Sequence, residues 1–143
     1  MAEMTLAERR AFLDEGARTA IVAVVRSDGR PHAAPVWFVT DPADDALMFT
    51  TAASSVKGRA LCRDPRVALC VDDETPPFAF VLVEGAATVS ADLDEMLRWA
   101  TAIGGRYMGA GRAEEFGRRN AVPGELLVRV TPTLVVARKY VAD

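Results

Sequence analysis

The sequence predicts a mainly β fold, a small and mostly antiparallel β-barrel with helices packed outside it. Three observations carry this. Short runs rich in Val, Ile, Ala and Phe recur along the chain, separated by compact turn signals such as Asp28-Gly29. Only three or four stretches have helical spacing, and they do not alternate regularly with the strands, which disfavours a doubly wound parallel sheet. Half of the 143 residues are apolar and 26% are charged, enough to bury one core in a single domain spanning residues 1–143.

Each element follows from local signals. Thr5-Leu-Ala-Glu8 is a capping-box pattern that opens a short helix, with Leu6 and Leu13 two turns apart on one face and Gly16 as its stop. Thr19–Arg26 reads as a buried strand. Asp28-Gly29 turns it into a return strand, Arg30–Thr40, in which Pro31 and Pro35 each lack a ladder donor and so demand an edge or a bulge. Ala46–Thr51 is the third strand. Ser54 is placed to cap a helix whose Val56, Ala60 and Leu61 share a face, and Asp64-Pro65 ends it. Arg66–Val71 and Phe78–Ser90 are strands, the second bent at Gly85. Asp92-Leu-Asp-Glu95 caps a helix with Leu93, Met96, Leu97, Ala100 and Ile103 at helical spacing, and Gly104-Gly105 ends or breaks it. Arg112–Asn120 is a second, polar helical piece. Glu125–Val130 and Thr133–Tyr140 are two final strands separated by Pro132.

Composition limits the chemistry. There is one histidine, His32, and there are two cysteines, Cys62 and Cys70, too few for a four-ligand zinc site built from these residues. No metal site is expected. The net charge of −3 disfavours a basic nucleic-acid-binding surface, and the longest apolar run, Thr19–Val25, is too short to span a bilayer. Unpatterned cysteines and an acidic N-terminus with no apolar segment point to a soluble, cytoplasmic protein with free thiols. Difficult chemistry would have to come from a bound cofactor.

Two segments stand out. In FTTAASSVKGR, Phe49 to Arg59, a strand ends in Thr50 and Thr51, and a loop of small residues leads into a helix start bearing Ser54, Ser55, Lys57 and Arg59. Unpaired amides at a helix N-terminus, nearby hydroxyls and a lysine make an anion site; the same residues also suit an ordinary capped helix with a solvated basic face. In RPHAAPVWF, Arg30 to Phe38, the prolines leave backbone groups unpaired beside the aromatic surface of Trp37, which suits a planar ligand as well as an ordinary edge strand. His32 reads either as a structural histidine or as a weak candidate base. Asp72-Asp73-Glu74 reads as a solvated loop, and Gly104–Gly111 lacks the preceding strand of a phosphate loop.

Together these segments resemble the pyridoxamine 5′-phosphate oxidase-like split β-barrel flavoproteins, and within them the small actinobacterial group that uses the deazaflavin coenzyme F420. The resemblance runs nearly end to end and is most specific over Phe49–Asp73. It implies a six-stranded antiparallel split barrel of the FMN-binding-like type, and a homodimer with cofactor in the groove between protomers. It implies that Thr50, Thr51, Ser55 and Lys57, with Ser54 beside them, meet the phosphate or ribityl chain. It further implies that Pro35, Val36 and Trp37 run along the ring, that Arg59 meets the acidic tail of coenzyme F420, and that the other protomer contributes from Pro76, Phe78 and Phe80. The implied activity is hydride transfer from the reduced deazaflavin to an electron-poor small molecule. The alternatives are an FMN-dependent oxidase or reductase and a non-catalytic cofactor carrier or sensor. Two departures bear on this choice. Val56 stands where the vitamin B6 oxidases have a basic residue, and the RKYVAD end has no histidine to grip pyridoxal phosphate.

Overall fold

The computed structural model describes residues Met1–Asp143. Eight strands form one antiparallel sheet: β1 (Ala2–Glu3), β2 (Ala20–Val25), β3 (Pro31–Val36), β4 (Val39–Thr40), β5 (Leu47–Ala52), β6 (Arg66–Asp73), β7 (Ala79–Ser90) and β8 (Glu125–Lys139). The strand order is β3-β2-β6-β7-β8-β5-β4, with β1 also on β8. Six of the strands are long and two are two-residue pieces. The order explains the barrel. Its two ends, β3 and β4, are successive parts of the same chain, separated only by Trp37 and Phe38. The sheet therefore curls until its edges meet at that dipeptide, which is the split of a split barrel.

Alternation fills the interior. Val22 and Val24 of β2, Val67, Leu69 and Val71 of β6, Val81 and Val83 of β7, and Val128 and Val130 of β8 point inward around Phe38 and Phe49. A second small core joins the outer face of β5 and β8 to helix α3 (Leu93–Met108) through Met48, Leu127, Met96 and Trp99. No helix is long and apolar enough to cross a membrane.

Helix α1 (Leu6–Asp14) has the full capping box, with the Thr5 N–H donating to Glu8 Oε1 at 2.9 Å and the Glu8 N–H to Thr5 Oγ1 at 3.1 Å. Leu13 is buried and Leu6 is exposed, so the face they were expected to share is only half used; Phe12 takes the second buried place. Asp28-Gly29 does make the β2–β3 hairpin, with Gly29 at φ +85°. The expected strand Arg30–Thr40 is divided, because its first part pairs with β2 and its last two residues pair with β5. Both prolines lie on the sheet edge, as their missing donors require.

Three other expectations are corrected. Helix α2 (Val56–Arg63) is capped by Ser55, not Ser54; the Ser55 hydroxyl accepts from the Gly58 N–H at 2.9 Å. Gly104-Gly105 does not end α3. A Cβ on Gly104 would lie 2.8 Å from the Phe116 Cβ, and one on Gly117 would lie 2.1 Å from Thr101 Oγ1. These glycines let α3 cross closely over α4 (Ala113–Asn120), so the helix continues to Met108. The two final strands are one. Gly85 pairs with Pro132 and Glu84 with Leu134, so a bulge sits opposite Gly85, where β7 was expected to bend. The bulge accommodates a proline without breaking β8, and the Thr133 hydroxyl donates to the Glu84 carbonyl there at 3.2 Å.

Candidate functional site

The seam where the sheet edges meet is held by side chains. The Phe38 N–H donates to Tyr107 Oη at 3.1 Å, and that hydroxyl donates to the Arg18 carbonyl at 2.6 Å. Arg106 reaches across from the same helix. Its guanidinium donates to the carbonyls of Leu13 at 2.7 Å, Phe38 at 2.9 Å and Gly16 at 3.0 Å, and lies over the Phe38 ring, 4.7 Å from its centre. The last two turns of α3 thus pin the two-residue link. Burial pushes the Tyr107 hydroxyl above its ordinary pKa, so it stays protonated and able to donate.

With Phe38 turned inward, alternation turns Trp37 outward. Its indole stacks on the Tyr107 ring with centroids 5.0 Å apart and planes 3° from parallel, and Phe116 of α4 lies against it at 6.1 Å. One indole face is therefore taken by the protein, and Trp37 keeps 37% of its surface exposed.

Beside this seam lies a cavity of about 450 Å³, within the usual size of a small-molecule site. The structure brings Pro35, Val36 and Trp37 from the link to the same cavity as Thr50 and Thr51 from β5 and Lys57 from α2. The remaining walls are Thr19, Ile103, Asn120 and Glu125. Of the threonines, Thr51 is turned to the Ser55 hydroxyl at 3.0 Å, while Thr50 has no protein partner. Lys57 also makes no ion pair or hydrogen bond, in a chain where most other basic residues near an acid are paired. Arg10–Asp45, Arg18–Asp73, Arg30–Asp28, Arg66–Asp64 and Arg129–Asp41 are examples. The Ser55 cap uses the Gly58 amide, and the Val56 and Lys57 amides are left without a backbone acceptor. Gly58 is needed for the approach of helix to strand, since a Cβ there would stand 2.2 Å from the Ala52 carbonyl oxygen.

Other candidates lie elsewhere. Ser54 is outside the cavity, and Ser55 is spent on the cap, also donating to the Ala52 carbonyl at 2.7 Å. Arg59 lines a small separate depression with Arg26 and Arg63. His32 is half-buried on β3 opposite Val24, away from the cavity. Pro76, Phe78 and Phe80 lie before and within β7, with Phe80 paired to Arg138 and the Phe78 carbonyl accepting from the Val141 N–H. Within one chain they do not reach the cavity.

Four wall residues were not singled out from sequence. Asn120 ends α4, Glu125 starts β8 opposite Ala52, Ile103 lies on α3, and Thr19 precedes β2. The sequence places Ile103 and Asn120 on helices and Thr19 at a strand start, but nothing local marks any of the four as a cavity wall. Extending the helical period by one turn would have put Tyr107 on the Ile103 face too. Burial raises the Glu125 carboxyl above its ordinary pKa, in contrast to Glu8, Asp28, Asp41, Asp45, Asp64, Asp73 and Glu115, all lowered by hydrogen bonds.

Comparison with known proteins agrees with this architecture. The sequence profile of a family described as pyridoxamine 5′-phosphate oxidase matches residues 6–138. None of the curated proteins matches by sequence. Among solved structures, a conserved hypothetical protein from Mycobacterium tuberculosis superposes with a TM-score of 0.83 at 25% identity, over 96% of this chain and 86% of that one. A protein named F420 reductase gives 0.66 at 23% identity, over 87% and 94%. The heme storage protein HutZ from Vibrio cholerae gives 0.73 at 16%, over 96% and 98%. At these last two identities the likeness is one of fold.

Proposed function

Because the chain belongs to the pyridoxamine 5′-phosphate oxidase family, we propose that it is a homodimeric, coenzyme F420-binding reductase acting on an electron-poor organic substrate. The observation that carries this is the convergence of an unpaired Lys57, the free Thr50 hydroxyl and the Pro35–Trp37 link on one cavity. These residues fit the cofactor. Lys57 and the first-turn amides of α2 supply donors for a phosphate. The outer edge of β3, which has only β2 as a neighbour, offers backbone groups to a planar ring. Trp37, held against Tyr107, gives that end of the cavity a fixed apolar wall.

When bound and reduced, coenzyme F420 supplies a hydride donor; the protein holds it, orients it and keeps water from one side. The chain's only histidine lies outside the cavity, so positioning is its main task.

Dimerisation has its own support. On the outer face of the sheet, Pro35, Ile21, Cys70, Leu82 and Val136 line up in register across β3, β2, β6, β7 and β8. Ile21 is 43% exposed, and Leu134 beside the row is 52% exposed. An apolar stripe on a sheet face is suited to a second copy of the same face. Pro35 belongs both to this stripe and to the cavity, so a partner seated there would complete the groove.

Titration with coenzyme F420 and with FMN, followed by Trp37 fluorescence, tests the cofactor. Tighter binding of coenzyme F420 is expected; tighter binding of FMN would replace it with a flavin-dependent reading of the same fold. Stopped-flow oxidation of the reduced cofactor by quinones and nitro compounds tests turnover. Tight binding without oxidation across such a panel would make the protein a carrier or sensor. Sedimentation of Ile21→Arg should show monomers where the unaltered chain shows dimers.

A further inference from the structure

The cavity is lined by polar groups of opposite character. Lys57 is the cationic one. Glu125, at the start of β8, supplies a carboxyl, and Asn120, at the end of α4, an amide. Neither side chain has a hydrogen-bond or ion-pair partner in the chain, and Lys57 is not bonded to Glu125. Half-buried polar groups left without a partner favour a ligand that satisfies them. A carboxylate only accepts, so the ligand atom it favours is a donor.

We propose that Glu125, with Asn120, is the specificity wall of this cavity. It accepts a hydrogen bond from a hydroxyl or N–H of the bound molecule and disfavours ligands that put an anion there. The ligand class is then a molecule with an anionic group at Lys57 and a hydrogen-bond donor at Glu125, as in a phosphorylated polyol or amide. The inference rests on the anion-binding reading of Lys57 given above. Glu125 faces one charged side chain in the cavity, Lys57, and the uncharged Thr50, Thr19, Asn120 and Trp37. Loss of solvent raises its pKa.

Opposite signs for two probes make the test. Inorganic phosphate is anionic and small. FMN carries a phosphate and several ribityl hydroxyls. For Glu125→Ala at pH 8, FMN binding should weaken about tenfold or more, as expected for loss of a charge-assisted hydrogen bond. Phosphate binding should be unchanged or tighter. Glu125→Gln, which keeps the shape, should also bind phosphate at least as tightly as the parent. If both probes weaken equally in either variant, Glu125 is only structural and the inference fails. If FMN affinity is unchanged in Glu125→Ala, it does not meet the ligand and the inference fails. If the parent protein binds neither probe nor coenzyme F420, the anion-site reading falls first and this inference with it.

Discussion

Two parts of the barrel are held in different ways. In the β6–β7–β8 wall, the backbone satisfies itself. Register runs unbroken from Arg66 opposite Ala86 to Asp73 opposite Ala79, and with one bulge from Phe80 opposite Arg138 to Ser90 opposite Leu127. At the seam, the ladder stops for two residues, and Arg106 and Tyr107 bond to what it leaves over. The difference teaches where a barrel can afford a site. Paired strands present side chains and little backbone, whereas the seam exposes an indole, a free strand edge and a cavity. It also predicts that the seam is sensitive to polar deletions, as no neighbouring strand can take over.

The largest effect is expected at Arg106. Arg106→Ala removes donors from the carbonyls of Leu13, Gly16 and Phe38 and a cation from the Phe38 ring. Hydrogen bonds from a charged donor, and half-buried carbonyls left without one, together predict a loss of about 3 kcal/mol in urea unfolding. A loss under about 1 kcal/mol would mean that water replaces the guanidinium and that the seam is not side-chain-closed in any energetic sense.

Lys57→Ala separates the site from the scaffold. Lys57 bonds to nothing in the chain, so unfolding should be unchanged within about 0.5 kcal/mol. Affinity for the phosphorylated cofactor should fall by about 2 kcal/mol, the loss of one charge-assisted contact. Equal affinity would remove Lys57 from the site; a stability loss as large as that at Arg106 would erase the distinction between cavity and seam.

Tyr107→Phe is smaller and more local. The ring and its stack on Trp37 stay, and only the hydroxyl goes. The Phe38 N–H then loses its acceptor and the Arg18 carbonyl its donor, a cost of about 1.5 kcal/mol. Thermal unfolding should show it, with Trp37 fluorescence little changed. A neutral result would place the seam's stability in stacking rather than in hydrogen bonds.

The same division marks what could be read from sequence. Ladder and turn chemistry are local, so Asp28-Gly29, the Thr5–Glu8 box and the bend at Gly85 were legible residue by residue. The Lys57 side of the cavity was legible too, because Phe49–Arg59 brings strand end, cap and lysine together within one continuous segment. The seam was not. Trp37 alternates outward in any extended strand, but that Tyr107 lies parallel to it depends on a contact 70 residues away. Gly104-Gly105 looked like a helix end because glycine is costly inside helices; the crossing with Phe116 and Ala113 overrides that cost. Glu125 carries no motif, and only the pairing of β8 with β5 brings it to the cavity.

The smallest expected effect lies on the paired side, where Lys139 at the end of β8 meets Glu8 of α1. The lysine's hydrogen bond and the Thr5 amide hold the Glu8 carboxyl down to about 2, from an ordinary 4.5. A carboxyl lowered on folding stabilises fully above its unfolded pKa, and the contribution fades as pH falls from about 4.5 towards 2. Lys139 is raised by the same contact, so the pair contributes at neutral pH and is also lost as pH climbs past the lysine's own range. Both groups are solvent-screened, which keeps the effect small. Glu8→Gln retains a residue able to close the capping box and removes only the charge. Urea midpoints of the two proteins should differ slightly at pH 6 and converge by about pH 2. A gap that persists at pH 2 would trace the loss to the cap or to packing, and a gap at pH 6 as large as that of Arg106→Ala would show that an exposed ion pair rivals the seam.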